Sequence, residues 1–232
     1  MDDAAQPIRV EGVTKVFRQG PLEVHALRGV DLVVDQGAFA ALAGPSGCGK
    51  TTLLNLVGVL DTPTTGRVIV GGRDVSSLSR GEAADFRLAH VGFVFQAYNL
   101  VPVLTAYENA EFTLLLRNRD PAARRQIVEP LLERVGLGDM MDRKPHELSG
   151  GQQQRVAVVR ALATQPSIVL ADEPTANLDS AASDELIDLM LELNRELDTT
   201  FLFATHDRAV LDRTPWVIRM LDGRVVEDGA SR

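Results

Sequence analysis

The chain has 232 residues, of which 45% are hydrophobic and 24% are charged, and this composition excludes a disordered protein and supports a substantial core. The formal net charge of −8 argues against nucleic acid as the main partner, since phosphate binding requires a basic face. The single cysteine, Cys48, excludes an intrachain disulfide, and no apolar run is long enough to span a bilayer.

Strands and a helix alternate in the first hundred residues. Apolar and β-branched runs predict strands at 8–17, 29–34, 38–44, 66–72 and 90–96. A helix is predicted over 50–60, with one apolar face made by Leu53, Leu56, Val57 and Leu60. The opening MDDAAQPIRV is acidic and has no apolar centre, so we do not expect it to be a secretory signal.

Helical patterns dominate from about residue 100 to 145. They predict helices over 105–116 and 121–137, and the second can begin at Pro121 with Asp120 as its N-cap. We interpret this region as a helical insertion.

The β/α pattern resumes after the insertion. Strands are predicted at 167–174 and 199–207, and between them a helix over 180–197 begins near Asp179 or Ser180. Residues 216–229 contain a DG turn between two apolar runs, which predicts a hairpin. Strands that alternate with helices favour an α/β fold with a largely parallel sheet.

The segment GPSGCGKT matches the phosphate-loop pattern G-x-x-x-x-G-K-[ST] in full, between a predicted strand and a predicted helix. Its backbone N–H groups can surround phosphate oxygens, Lys50 supplies a positive charge, and the Thr51 hydroxyl can bind Mg²⁺. The alternative, a glycine-rich turn with a surface lysine, is disfavoured by this context. Cys48 is either a small space-filling residue, which we favour, or a redox-sensitive thiol. We expect nucleotide contacts from Gly44, Pro45, Ser46, Gly47, Cys48, Gly49, Lys50, Thr51 and Thr52.

Two acidic residues follow the apolar strand SIVLA. Ligands of parallel sheets bind at the carboxyl ends of the strands, so Asp172 is placed to hold Mg²⁺ and Glu173 to act as general base on the attacking water. A solvated turn or a helix cap is the alternative for two adjacent acids, and the phosphate loop disfavours it.

A second phosphate-facing turn is predicted at LSGGQ, residues 148–152, where a helix begins. Gln96 ends the strand VGFVFQ, ANLD follows the acidic strand, and His206 ends the next strand. In this order and spacing the motifs resemble the ATP-binding cassette ATPases of ABC transporters, over almost the whole chain from Phe17 to the terminal hairpin.

The resemblance implies an architecture. The fold would be α/β, a P-loop NTPase core with an N-terminal antiparallel β subdomain and an inserted helical subdomain. The whole chain, 1–232, would be one such domain. Residues 1–99 and 146–232 would form the RecA-like core and the β subdomain, and about 100–145 would form the helical subdomain, which contacts a permease.

The resemblance also implies roles for single residues. Phe17 would stack on adenine, although the family more often has Tyr there, and the alternative is a core aromatic. Gln96 would contact Mg²⁺ and the attacking water and sense the membrane partner; the alternative is a polar cap on a strand end. His206 would contact the γ-phosphate and align Glu173 with water, rather than being a structural or surface histidine. Asp179 would organise the interface between two cassettes.

The same family pattern explains why one chain has two phosphate-facing turns. The turn made by Ser149, Gly150, Gly151 and Gln152 would face the γ-phosphate bound by the other subunit of a head-to-tail homodimer. The helix behind this turn is expected to bury Val156, Val159 and Ala163.

Longer phrases, LDTPTTG and FVFQAYNLVPVLTAYEN, are similar to the lipoprotein-releasing and macrolide-export group of ABC ATPases. This implies a Mg²⁺-dependent ATPase on the cytoplasmic face of the inner or plasma membrane. Its permease would have few membrane helices and large extracytoplasmic domains, and the expected direction is export or extraction. No nucleic-acid partner is expected.

Two other functions stay open at this point. One is a soluble ABC ATPase that acts on nucleic acid or ribosomes, although such proteins usually carry two cassettes, a long coiled coil or a zinc insertion. The other is a soluble assembly ATPase or a cell-division ATPase, which shares much of this pattern.

Overall fold

The structure is a computed structural model that describes residues 7–230, so most of the acidic opening segment lies outside the described residues. Its first half contains β1 (Ile8–Gln19), β2 (Leu22–Val34), β3 (Phe39–Ala43), α1 (Lys50–Val57), β4 (Thr65–Val70), β5 (Arg73–Asp74), α2 (Arg80–His90) and β6 (Val91–Phe95). Its second half contains α3 (Ala106–Leu116), α4 (Pro121–Arg134), α5 (Gly150–Leu162), β7 (Ile168–Asp172), α6 (Ser180–Leu197), β8 (Thr200–Thr205), α7 (Arg208–Arg213), β9 (Trp216–Leu221) and β10 (Arg224–Ala230).

Two sheets organise these elements. The smaller is antiparallel, with four strands in the order β2-β1-β4-β5. The larger has six strands in the order β10-β9-β3-β8-β7-β6, and all its pairs are parallel except β9 with β10. Strand β3 lies inside this sheet, where Phe39 pairs with Phe201 and Ala40 with Trp216. The predicted α/β fold with an N-terminal antiparallel sheet is therefore confirmed.

Helices cover both faces of the larger sheet. Ala40 and Leu42 of β3 pack with Leu53 and Leu56 of α1 on one side. On the other side Phe39 packs with residues of α5 and α6, and its ring lies 5.0 Å from that of Phe203. Burial on both faces explains why the central strands read as continuous apolar runs rather than as alternating patterns.

Helix α5 buries the face that the sequence predicts. Val156, Val159 and Ala163 are all at most 1% exposed, as expected for the helix behind the Ser149 turn. The DG hairpin is also confirmed, because Asp222 and Gly223 both have positive φ, 48° and 77°, and join β9 to β10.

The helix predicted over 50–60 is shorter in the structure, and the prediction that Leu60 lies on its apolar face is wrong. Helix α1 ends at Val57, because the Gly58 N–H closes the last turn on Leu54 and Val59 then turns to a φ of 58°. Leu60 consequently leaves the helix and is 47% exposed. The other three residues of the predicted face are buried.

Four further elements differ from the prediction. Strand β2 begins at Leu22 rather than at residue 29, and strand β5 and helices α2 and α7 are additional. Helix α2 buries only Phe86, so it lacks the apolar periodicity that predicts a helix.

The inserted helices begin where their caps are. The side chain of Asp120 accepts hydrogen bonds from the N–H groups of Ala122 and Ala123, and Pro121 is the first residue of α4. Helix α4 ends at Arg134, three residues before the predicted end, where Gly136 has a φ of 74°. Helix α3 packs against α4 and α5. The division of the chain near residues 100 and 145 stays a prediction.

Over residues 7–230, no helix is both long and apolar enough to cross a bilayer.

Candidate active site

The loop from Gly44 to Gly49 joins β3 to α1 and contains two glycines that the fold requires. A Cβ on Gly44 would lie 2.2 Å from the Met220 carbonyl oxygen, and one on Gly49 would lie 2.6 Å from that of Ala26. Gly49 also has a φ of 106°, which disfavours any other residue. The loop therefore leads directly into the first turn of α1, whose N–H groups have no partner within the helix and can bind an anion.

Lys50 and Thr51 are held in place by the loop and by β7. The Lys50 ammonium donates to the carbonyl oxygens of Gly44 and Pro45, at 2.8 Å and 3.0 Å. The Thr51 hydroxyl donates to Oδ1 of Asp172 at 3.1 Å. Burial raises the pKa of Asp172 above its ordinary value, while the Thr51 hydrogen bond lowers it and the neighbouring Glu173 raises it further.

Glu173 and His206 meet at the carboxyl ends of β7 and β8. Glu173 has a φ of 46°, in the left-handed region, and its N–H donates to the Ala204 carbonyl at 2.9 Å. This backbone turn directs the carboxylate to the His206 ring, whose Nδ1 lies 2.6 Å from Oε1 of Glu173. Strained φ values of this kind are common at functional sites.

These residues surround one cleft of about 660 Å³, here named the first cleft. Its lining consists of Val24, His25, Ala26, Pro45, Ser46, Gly47, Gly49, Lys50, Thr51, Thr52, Gln96, Asp172, Glu173, Ala176 and His206. The structure thus brings together the phosphate loop, both acidic residues, the strand-end glutamine and the histidine. Gly44 and Cys48 lie behind this surface, and Cys48 is buried in the apolar core, which favours its space-filling role.

Four lining residues, Val24, His25, Ala26 and Ala176, are not among the predicted site residues. The first three precede residue 29, where the sequence predicts the start of β2. Phe17 does not line the first cleft, although it pairs with Val24 across the two strands. It is 40% exposed, so it is not a core aromatic, and the Lys15 ammonium lies 5.0 Å from its ring centre. Its contact with adenine stays a prediction.

The Ser149 turn lines a different cleft of about 340 Å³, here named the second cleft. Its lining consists of Gly136, Leu137, Ser149, Gly150, Gly151, Gln152, Arg155, Asn177, Leu178, Asp179, Ala182 and Glu185. Ser149 caps α5: its hydroxyl accepts from the Gln152 N–H and its own N–H donates to the Gln152 side chain. Asp179 caps α6. Among the described residues, none lines both clefts.

Comparison with known proteins identifies the same family as the sequence motifs do. The ABC transporter family matches residues 27–176. The chain is 47% identical over 230 residues to the lipoprotein-releasing system ATP-binding protein LolD of Anaeromyxobacter dehalogenans, and the match covers 99% of this chain and 96% of that protein. It is 44% identical over 228 residues to the macrolide export ATP-binding/permease protein MacB of Rhodopirellula baltica, covering 97% of this chain but 33% of the larger MacB.

A solved structure is also similar. The dimeric post-hydrolysis state of the ATP-binding cassette MJ0796, bound to ADP and Pi, superposes with a TM-score of 0.88 at 39% identity, covering 97% of this chain and 99% of that one. The resemblance drawn from the sequence is confirmed, including its lipoprotein-releasing and macrolide-export group. The chain belongs to the ABC transporter family, as one of its ATP-binding cassette ATPases.

Proposed function

We propose that two copies of this chain form a head-to-tail homodimer that hydrolyses ATP with Mg²⁺ and drives export or extraction of a substrate by a separate permease. One observation carries the proposal. The residues predicted to be catalytic line the first cleft, the Ser149 turn lines the second, and among the described residues none lines both. A copy rotated to place its second cleft over the first cleft of its partner would complete both sites.

The donor set of the first cleft fits Mg²⁺ bound together with a nucleotide. The described residues contain no group of three or more His, Cys, Asp or Glu side chains suited to a metal. Mg²⁺ typically uses one or two carboxylates, and phosphates and water supply its other ligands. Thr51, Asp172 and Gln96 would hold it, and bound Mg²⁺ would neutralise charge on the β and γ phosphates.

The protein groups position the water and stabilise charge during an in-line attack on the γ-phosphorus. The attack forms a new P–O bond and breaks the bond to the β,γ-bridging oxygen, so that ADP leaves. Glu173 accepts the proton of the attacking water, and His206 keeps the Glu173 carboxylate aligned and contacts the γ-phosphate. Lys50 and the loop N–H groups stabilise the phosphate oxygens. The catalytic groups are thus Glu173, His206, Lys50 and Gln96.

The nucleotide base would lie toward the antiparallel sheet. Phe17 and Val24 are cross-strand partners, 40% and 51% exposed, so they present an apolar surface next to the first cleft. Phe17 would stack on adenine there. Across the dimer, Ser149, Gly150, Gly151 and Gln152 would face the γ-phosphate of the partner's ATP, and Asp179 would organise the interface.

The permease would dock on an apolar groove beside α3. This groove, of about 280 Å³, is lined by Leu88, Val91, Gly92, Phe93, Phe95, Asn99, Phe112, Thr113, Leu116, Arg160, Ala161 and Thr164. A permease is the expected occupant, because this chain matches only 33% of MacB, a protein named as both ATP-binding and permease. A separate permease would hold the chain on the cytoplasmic face of the inner or plasma membrane.

Two measurements test the proposal. Release of phosphate by the purified chain should require both ATP and Mg²⁺ and should be lost in Lys50→Ala. A tagged chain isolated from detergent-solubilised membranes should bring down a membrane permease. A chain that releases no phosphate contradicts the ATPase assignment, and recovery of soluble partners alone contradicts the transport assignment.

A further inference from the structure

Gln154 lies on α5, five residues after Ser149, and is fully buried. Its Nε2 donates to the Pro174 carbonyl at 2.8 Å and lies 3.4 Å from the Phe95 carbonyl. Phe95 immediately precedes Gln96, and Pro174 immediately follows Glu173. One buried amide therefore contacts the backbone next to both residues that are to handle the attacking water.

These two contacts are the only hydrogen bonds that the Gln154 amide makes within the described residues. Among residues 7–230, no donor contacts its Oε1. A buried acceptor without a partner is unfavourable, and an apolar side chain of similar volume at this position would avoid that cost. What such a side chain cannot supply is the amide donor shared by the two carbonyls.

The rest of the Gln96 loop, residues 95–99, is fixed through its backbone in the same way. Asn177 donates to the Gln96 carbonyl at 2.8 Å. The half-buried Arg160 donates to the carbonyls of Tyr98 and Asn99, at 2.8 Å and 2.5 Å, and both residues have positive φ. Hydrogen bonds from Gln154, Asn177 and Arg160 thus fix the backbone of this loop, while the Gln96 side chain stays exposed to the first cleft.

We propose that Gln154 is a positioning residue that fixes the Gln96 and Glu173 strand ends relative to each other and to α5. The inference rests on the proposed ATPase function. Small errors in the placement of a reacting group cause large losses in rate, so a shared anchor for both residues matters for turnover. Because Ser149 caps α5, this anchor also links the second cleft to the proposed catalytic groups of the same chain.

The test compares Gln154→Met with Gln153→Met. Both changes replace a glutamine of α5 by a side chain of similar length without donors. The Gln153 amide donates to the Leu148 carbonyl, at 3.2 Å, and not to the strand ends that Gln154 contacts. We expect Gln154→Met to lower kcat by about tenfold or more with KM nearly unchanged, and Gln153→Met to leave both nearly unchanged. Unchanged kcat in Gln154→Met overturns the proposal.

A second arm separates positioning from general destabilisation. In a Glu173→Gln background, adding Gln154→Met should lower the single-turnover rate of hydrolysis by a much smaller factor than it does in the wild-type background. The reason is that the two residues act as a unit. An equal fractional loss in both backgrounds overturns the proposal.

Backbone hydrogen exchange gives a readout that does not depend on catalysis. It should rise in residues 95–99 and 173–177 of Gln154→Met and not in Gln153→Met, and unchanged exchange there counts against the anchor. If Gln154→Met does not fold, Gln154→Ala is measured in the same three ways. A wild-type chain that binds nucleotide but releases no phosphate contradicts the proposed function and leaves exchange as the deciding measurement.

Discussion

The Nδ1 atom of His206 lies 2.6 Å from Oε1 of Glu173. An ionised carboxylate only accepts hydrogen bonds, so Nδ1 is the donor of this pair whenever Glu173 is ionised. The two residues come from the ends of adjacent parallel strands, β7 and β8, so the sheet itself sets their separation. The Glu173 side chain is 19% exposed and that of His206 is 70% exposed, and the histidine therefore forms the solvent-facing side of the pair.

Glu173→Gln tests the general base. The change keeps the size and one oxygen that can accept from His206, but removes the carboxylate that accepts the proton. We expect ATP still to bind, hydrolysis to fall by about 10²-fold or more, and a closed dimer to accumulate. Size-exclusion chromatography with ATP and Mg²⁺ detects that dimer. Glu192→Gln, at an exposed position of α6, is the matched control. Near-normal turnover in Glu173→Gln would contradict the assignment of Glu173 as the general base.

Leu116→Asp tests the docking groove. Leu116 is 54% exposed and lines the groove, so a charge there should disrupt an apolar contact with the permease. We expect nucleotide affinity and the ATPase rate of the free chain to be unchanged, and the response of that rate to reconstituted permease to be lost. Leu197→Asp, 43% exposed at the end of α6, is the control. The groove is excluded if Leu116→Asp and Leu197→Asp respond alike to the permease.

Ser79→Ala tests the cap of α2. The Ser79 hydroxyl accepts a hydrogen bond from the Glu82 N–H, and the Glu82 carboxylate accepts from the Ser79 N–H. Loss of such a cap costs about 1 kcal/mol, which corresponds to roughly 2–4 °C in Tm for a chain of this size. Calorimetry measures the shift. An unchanged Tm would mean that α2 unfolds independently of the rest.

The same cap should make stability depend on pH. Hydrogen bonds from Ser79 lower the pKa of Glu82 below its ordinary value of 4.5. A carboxylate with a lowered pKa stabilises the fold above the pKa of its unfolded form, and this stabilisation is lost as the pH falls through the folded pKa. The difference in unfolding free energy between wild type and Glu82→Ala should therefore be largest near neutral pH and shrink in acid. Denaturant titrations at a series of pH values measure it, and a difference that does not depend on pH contradicts the expectation.

Mixed dimers test whether sites are shared between chains. Lys50→Ala damages a first cleft, and Gly151→Asp places a carboxylate where the partner's γ-phosphate would lie, so the two negative charges repel. The fold tolerates a side chain at Gly151, since its Cβ would lie 3.6 Å from that of Ala182, an ordinary contact. Each variant alone should be inactive. When the two are mixed, both lesions fall in one site of the mixed dimer and the other site is intact, so hydrolysis should return.

The control for this experiment is a mixture of Lys50→Ala with Glu173→Gln, in which each site keeps one lesion and no activity should return. If both sites must act together, restoration in the first mixture appears as one trapped nucleotide per mixed dimer in a Glu173→Gln background. Confirmed exchange of chains with neither hydrolysis nor trapped nucleotide would contradict the shared site.

The sequence predicted those parts of the molecule whose chemistry is local. The strand, loop and helix around Lys50 depend on neighbouring residues, and so does the Asp120 cap of α4. Helix α2 was missed because it is mostly polar, although Ser79 and Glu82 have the spacing of a capping box.

Contacts between distant segments could not be predicted in this way. Gln154 donates to backbone carbonyls 59 and 20 residues away. Every residue has a backbone carbonyl, so the sequence does not indicate which of them accept these hydrogen bonds. The Leu60 error has a similar origin: its helical spacing was correct, but the turn after Gly58 removed it from the helix.

The position of β3 has a consequence for synthesis of the chain on the ribosome. Within residues 7–230 this strand, which leads into the phosphate loop, pairs with β8 and β9 and with no other strand. Phe39 of β3 therefore cannot pair until Phe201 of β8 has been synthesised. A nascent chain that has not yet emerged beyond Thr200 cannot complete the sheet around β3. The unpaired backbone edge and the apolar faces of β3 then stay exposed to chaperones or to aggregation. ATP cannot assist this early stage of folding, because the strand before its binding loop, β3, is not yet held in the sheet. The nucleotide can stabilise the fold only once most of the chain has left the exit tunnel.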